Sequence, residues 1–205
     1  MKIYKPPRWI DRLTPSFTWR FSISEPTIFL TFDDGPHPDV TPFILDELAK
    51  RNWKATFFCV GENVKRYPEI VARIEREGHQ IGNHTMHHLK GTQTKTETYL
   101  ENVRAFEQIK PSSLFRPPYG RILPKQAREI AKTHQIIMWS WLSYDYDLSH
   151  SDQKILDALQ HVKKGDILVF HDNFKLASRQ KQLIPAAFDQ LENQGFHSAT
   201  MSFDV

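Results

Sequence analysis

Two adjacent carboxylates, Asp33 and Asp34, close the run Thr27-Ile28-Phe29-Leu30-Thr31-Phe32, and Gly35-Pro36 follows at once. Close carboxylates repel, so one takes up a proton unless a cation holds the pair. A metal ion or an arginine answers that need, while capping of the next turn is the plain alternative for Asp-Asp-Gly-Pro. His84 and His88 stand four residues apart. On one helical turn both rings face the same side, which suits two nitrogen ligands on a single ion. Asp34 would complete a two-His, one-carboxylate set that leaves positions open for water and substrate. His87 is the alternative ligand, but on a helix it points about 100° away from His88. That leaves it behind the set or exposed.

Arg116 is followed by Pro117 and Pro118, which restrict the backbone beyond it. A guanidinium held this way can pair a carboxylate, and Asp33 is the natural target once Asp34 is given to a metal. His171 follows the apolar run Ile167–Phe170 and precedes Asp172 and Asn173. A histidine at such a place can protonate a leaving group near neutral pH, and Asp145 could hold its ring and raise its pKa. Tyr119, Trp139, Trp141, Tyr144 and Tyr146 lie near these positions in the chain. Aromatic side chains around an open groove suit stacking on sugar faces. They serve equally as core, the reading favoured for Trp139.

These residues need elements to position them. Thr27–Phe32, Lys54–Val60, Gln80–Asn83, Ser113–Phe115, Gln135–Trp141, Ile167–Phe170 and Phe196–Met201 read as strands, being rich in β-branched and aromatic residues and bounded by Gly, Pro or polar turns. Apolar stripes at helical spacing lie between them. Thr41 is expected to cap a helix with Pro42 in its first turn, Pro68 and Pro124 to open two more, and Thr94 to cap another. About seven strand–helix units predict a parallel sheet closed into a single-domain α/β barrel of distorted (β/α)7 type. The reactive residues repeatedly follow strand ends, which is where barrel active sites lie. Residues 1–25, with Pro6, Pro7, Pro15 and several aromatics, read as an extended arm packed on a domain spanning 26–205.

Composition is that of a soluble globular chain: 205 residues, 40% hydrophobic and 25% charged. A formal charge of +3 is too small to imply a nucleic-acid partner, and no run of Lys or Arg forms a basic arm, so none is expected. Cys59 is the only cysteine, so no internal disulfide forms, and its apolar surroundings predict a buried thiol. No segment is long and apolar enough to span a bilayer. Residues 1–7 lack the apolar stretch of a signal peptide. The expectation is therefore a cytoplasmic protein unless an export signal is missing from this chain. No protein partner is predicted.

Thr31–Pro36, His84–His88, Arg116–Gly120, Asp145-Tyr146 and Val169–His171 occur in this order. Together they resemble the five motifs of the polysaccharide deacetylases, the NodB-homology or carbohydrate esterase family 4 enzymes. The resemblance runs from about residue 26 to the C-terminus. It implies a distorted (β/α) barrel that removes acetyl groups from N-acetylated, sometimes O-acetylated, sugars of a glycan with a divalent metal, most often zinc. It makes Asp33 the general base, Asp34, His84 and His88 the metal ligands, and Arg116 the residue that orients Asp33. His171 becomes the general acid tuned by Asp145, and the Tyr119 N–H joins in stabilising the oxyanion. The family's fourth motif usually reads Asp-x-x-Asp-Trp, where this chain has Leu142 and Tyr146 at the first and last places. Its fifth usually carries Leu where Val169 stands. Tyr119, Tyr146, Trp141 and Val169 are the expected lining of the sugar groove and acetyl pocket. A catalytically inactive carbohydrate-binding protein on the same barrel would have lost at least one of Asp33, Asp34, His84, His88 or His171, and all are present. An iron oxygenase could use the same ligand set, but the βα alternation argues against its usual antiparallel scaffold.

Overall fold

The computed structural model of the chain describes residues 5–201, so residues 1–4 of the expected arm and 202–205 of the expected domain lie outside the described residues. In chain order the elements are α1 (Trp9–Leu13), β1 (Phe17–Thr18), β2 (Thr27–Asp33), α2 (Thr41–Lys50), β3 (Ala55–Cys59), α3 (Gly61–Arg66), α4 (Pro68–Arg76), β4 (Gln80–Asn83), α5 (Thr96–Glu107), β5 (Leu114–Phe115), α6 (Pro124–Ile130), β6 (Gln135–Ile137), β7 (Trp141–Leu142), α7 (Asp152–Leu159), β8 (Ile167–His171), α8 (Ala177–Asn193) and β9 (His197–Ser198). Every residue of β2 is buried, as its unbroken β-branched and aromatic run requires of a strand covered on both faces. It forms the centre of a parallel sheet ordered β1-β6-β5-β4-β3-β2-β8-β7, with β9 paired to the start of β2.

The sheet curls into a distorted barrel. One stretch, residues 135–142, joins its two sides, pairing with β5 through β6 and with β8 through β7. Gln135–Trp141, expected as a single strand, is therefore split. Between the halves, the Met138 N–H donates to the Thr18 carbonyl and the Ser140 N–H to the Ile167 carbonyl. Strand alternation sends Ile28, Leu30 and Phe32 toward the helices, where they join Ile44, Leu48, Ile184 and Phe188 in the main core. The intervening residues face inward. Phe29, Phe58, Leu114, Ile137 and Ile167, contributed by five strands, pack together with Met201 and fill the barrel.

Register then fixes the height of the reactive ends. Asp33 lies directly opposite His171 across the β2–β8 ladder. Cys59 pairs with Asn83, and Asn83 with Phe115, so His84 and Arg116 leave their strands at the same rim. Cys59 is fully buried, as expected. The N-terminal segment does more than drape over the body: β1 adds to the sheet beside β6, and Phe21 packs on Phe29 with centroids 4.4 Å apart.

Four local expectations are corrected. Thr94 does not cap a helix: α5 opens at Thr96 after Lys95, and the Thr94 hydroxyl donates to the Lys90 carbonyl. Gly61 does not simply end a strand but opens α3, whose first N–H groups donate to the Thr85 and Met86 carbonyls. A Cβ on Gly61 would meet the Met86 sulfur at 2.5 Å, so a glycine permits this close approach. Thr41 is the first residue of α2 rather than its cap, because its hydroxyl is engaged with Asp172. Trp141, expected to line the groove, is fully buried. Its ring packs on Phe170, and its indole N–H donates to the Ala158 carbonyl at 3.3 Å. Alternation along β7 points it toward the helical layer, among Ile155 and Leu159. Trp141→Ala should therefore lower unfolding stability by about 3–5 kcal/mol. Denaturant melts check this, and an unchanged midpoint would contradict the core placement.

Candidate active site

Arg116 enters the barrel from the end of β5 with no exposed surface. One guanidinium nitrogen donates to Asp33 Oδ1 at 2.7 Å and to Thr31 Oγ1 at 2.7 Å. Nε donates to the Ile137 carbonyl at 3.2 Å, and the other terminal nitrogen to the Met138 carbonyl at 2.8 Å. The plane lies over the Phe58 ring, 4.1 Å from its centroid. The expected pairing of Arg116 with Asp33 is thus present, and the second carboxylate is free for other work.

That carboxylate, Asp34, turns out of the strand with a positive φ of 81°. Its Oδ1 lies 3.7 Å from His84 Nε2 and 3.1 Å from His88 Nε2. Ligand atoms of the three residues all fall within 4.8 Å of one another. Two ligands on one tetrahedral ion with bonds of about 2.0–2.1 Å would sit roughly 3.3 Å apart, so the set is of the right size. The chemistry also fits. His84 Nδ1 bonds the Arg116 carbonyl at 2.8 Å, an acceptor, which assigns the proton to Nδ1 and leaves the Nε2 lone pair toward Asp34. Burial pulls the His84 pKa down to about 4, so the ring is neutral at neutral pH. Burial raises the pKa of Asp34, but the His88 hydrogen bond, with His171 next in effect, outweighs it and holds the carboxyl well below the usual range. An ionised carboxylate and two imidazoles directed at one point constitute a candidate divalent-metal site.

The two histidines meet for a different reason from the one expected. Residues 84–88 do not form a helical turn but an irregular loop, with Thr85 and His88 left-handed at φ 65° and 53°. The Thr85 N–H donates to Asn83 Oδ1 at 2.8 Å, and the Leu89 N–H to Thr85 Oγ1 at 3.2 Å. His87 is turned outward, its backbone N–H and ring both bonded to the Asn102 side chain.

At the end of β8, His171 Nδ1 lies 2.7 Å from Asp145 Oδ1, and the His171 N–H donates to Asp145 Oδ2 at 2.9 Å. Gln180 of α8 donates to Asp145 Oδ2 and to the His171 carbonyl, both at 2.6 Å. Burial lowers the His171 pKa, but the charge and hydrogen bond of Asp145, with Asp34 and Asp33 beyond, raise it overall to about 9. Arg179 holds the loop carrying Asp145 by donating to the Asp145 and Asp147 carbonyls at 2.6 and 3.0 Å.

The rim is aromatic. Tyr119, 61% exposed, packs on His88 with centroids 4.7 Å apart, under the Lys90 ammonium at 5.9 Å. Tyr146, 48% exposed, stands edge-on to His171 at 5.0 Å. Trp139 is half-buried against Trp19. Val169 pairs with Thr31, shares its inward face, and is buried two residues below His171. It meets the site from beneath.

Sequence reasoning missed Asp172, Asn173, Phe174 and His37. Asp172 Oδ1 accepts from the Gly35 N–H at 2.9 Å, and Oδ2 from the Thr41 hydroxyl at 2.6 Å. A Cβ on Gly35 would lie 2.0 Å from that carboxylate, so only glycine fits. Burial pushes the Asp172 pKa up to about 7, against the lowering by its bond from Thr41, with Asp34 adding repulsion. Phe174 and His37 pack with tilted rings, centroids 5.2 Å apart, beside this junction. The signal available for Asp172 and Asn173 was their position directly after a reactive strand end.

His88→Ala removes one of three ligands and should abolish most stoichiometric metal binding. Elemental analysis of the purified variant measures this, and unchanged metal content would refute the ligand set.

Comparison with known proteins places this geometry. The polysaccharide deacetylase family model matches residues 22–139. A peptidoglycan-N-acetylglucosamine deacetylase of Bacillus cereus is 35% identical over 195 residues, covering 90% of this chain and 91% of that one. A chitooligosaccharide deacetylase of Rhizobium leguminosarum bv. phaseoli is 37% identical over 159 residues, 72% of this chain and 68% of the relative. The crystal structure of the Bc1960 peptidoglycan N-acetylglucosamine deacetylase matches with a TM-score of 0.81 and 30% identity, over 97% of this chain and 95% of that one. Matched along nearly its whole length in sequence and in fold, the chain belongs to the polysaccharide deacetylase family, the NodB-homology hydrolases of carbohydrate esterase family 4.

Proposed function

We propose that this chain removes the acetyl group from N-acetylglucosamine residues of peptidoglycan, and that the ion held by Asp34, His84 and His88 is zinc. The substrate follows from the relatives, one of which is similar over 91% of its own length. The observation that carries the chemistry is the β2–β8 register, which sets Asp33 opposite His171 across the rim from which Asp34 projects. The catalytic unit is residues 26–205, preceded by an N-terminal arm over residues 1–25 whose described part, from residue 5, packs against it. No helix among the described residues is long and apolar enough to cross a membrane.

Hydrolysis of an acetamide adds water to the carbonyl carbon, breaks the C–N bond, and releases acetate and an amine. A divalent cation, when bound, polarises the carbonyl oxygen and lowers the pKa of an attacking water. Asp33, oriented by Arg116 at 2.7 Å, accepts that water's proton as general base. The Tyr119 N–H donates to the oxyanion, a bond worth about 3 kcal/mol in the transition state. His171 has Nδ1 committed to Asp145, so Nε2 delivers a proton to the leaving nitrogen. Tyr119 and Tyr146 flank the sugar, and Val169 forms the floor under the acetyl group.

Acetate release measured on peptidoglycan, N-acetylglucosamine oligomers and acetylated xylan, with and without chelator, tests the proposal. The zinc-loaded protein should act on peptidoglycan and lose activity with chelator. Release from none of these would overturn it. Asp33→Asn should retain zinc and lose most of kcat, and a parental rate would exclude Asp33 as the base.

The pH profile tests the acid. His171 keeps its proton through neutrality and loses it as pH rises through about 9, so kcat/KM should fall on that alkaline side. In Asp145→Asn the elevating charge is gone while burial still lowers the pKa. The alkaline limb should then move down by about a unit or more, equivalent to roughly 1.4 kcal/mol per unit. A limb that stays in place with metal bound would show that Asp145 does not tune His171.

A further inference from the structure

Three consecutive residues of the β2 loop are each held by the two residues that follow His171. The Asp172 N–H donates to the Asp33 carbonyl at 3.0 Å, and Asp172 Oδ1 accepts from the Gly35 N–H at 2.9 Å. Between them, Asn173 Nδ2 donates to Asp34 Oδ2 at 2.9 Å. This last contact bears on the metal site. Oδ1 of Asp34 is the oxygen near both histidine nitrogens, and the amide occupies the other oxygen. A carboxylate acts as acceptor only, so the bond also settles which end of the amide faces it. Asn173 Oδ1 is buried and has no hydrogen-bond partner among the described residues, so no second bond to that oxygen explains how the amide is oriented. The Asp34 backbone is fixed separately, its carbonyl accepting from Asn63 Nδ2 at 2.8 Å.

We propose that Asn173 is a positioning residue for the metal. Its bond to Asp34 Oδ2 holds the carboxylate with Oδ1 toward the histidines and favours binding through that one oxygen. A carboxylate free to chelate through both oxygens would take a coordination position that water or the acetyl oxygen needs. The same bond fixes the carboxylate's rotation, so less freedom is lost when the ion enters. Groups that orient ligands in this way typically contribute 10–100-fold in metal affinity or activity. The inference rests on Asp34, His84 and His88 being the ligand set, and not on which glycan is the substrate.

Zinc dissociation constants measured by chelator competition on the full chain, for the parent, Asn173→Ala and Asn173→Leu, test it. Leu matches the asparagine in size without a donor, so it reports on the hydrogen bond should the smaller side chain disturb the loop. Both variants should bind zinc about 10–100-fold more weakly, with metal-free melting temperatures equal to the parent's. With Co2+ in the site, visible absorption per bound ion should also weaken in both, because a second Asp34 oxygen raises the coordination number. A merely structural role would leave that band unchanged. Parental zinc affinity in either folded variant, or a parent that binds no zinc, overturns the proposal. A parent that binds zinc tightly but releases no acetate refutes the deacetylase reading and leaves this one standing.

Discussion

A guanidinium with no exposed surface must find a partner for its N–H groups, and Arg116 finds them at the top of the barrel. Thr31, Asp33 and the carbonyls of Ile137 and Met138 surround it. Taking this charge out of water costs several kcal/mol, which only good geometry and the paired carboxylate offset. Removing one partner of such a pair is severe, typically 3–5 kcal/mol, because the other stays buried and uncompensated. The interaction also joins β2 and β5 to the split segment that closes the sheet. The fold's closure and the orientation of Asp33 therefore depend on the same side chain.

Charge is distributed over the site on the same logic. One carboxylate of the Asp33–Asp34 pair is matched by a fixed cation and the other by a ligand set prepared for a mobile one. His84 is held neutral by burial, while His171, only partly buried, is held cationic by Asp145. Two histidines on one rim thus take opposite protonation states, as the proposed ligand and the proposed acid require. Asp172 introduces a further acid behind the loop, and its hydrogen bonds to Gly35 and Thr41 link the β2 and β8 loops. The reactive residues come from separate strand ends but are cross-braced, which suits a site that must hold its geometry to within fractions of an ångström.

The approach to this centre is walled by rings. Tyr119 with Lys90 stands on one side, Tyr146 with Tyr144 on another, and Phe174 with His37 and Tyr67 on a third. Rigid aromatic faces bind a sugar ring at little entropic cost. Leu142 and Tyr146 stand where the family motif has Asp and Trp, and Tyr146 nonetheless packs against His171. The local change alters the wall and leaves the His171–Asp145 pair intact.

The α/β alternation, the strand ends and the identities of the reactive groups were legible in the chain itself, because strand burial demands an unbroken apolar run and metal and proton chemistry demand particular residue types in order. Asp33, Asp34, His84, His88, Arg116, Asp145 and His171 could all be named on that basis. How they meet could not. The His84–His88 spacing suggested a helix, yet a loop braced by Asn83 and Asn102 brings the rings together and turns His87 away. Trp141 carried the composition of a groove residue, and only its position on β7 sent it into the core. Asn173 and Asp172 act on Asp34 and Gly35 from 139 and 137 residues away along the chain. Contacts at that separation exist only after the sheet has curled and its ladders have set the register. The candidate residues for the chemistry were therefore written in the sequence, and the geometry that brings them together came from the barrel.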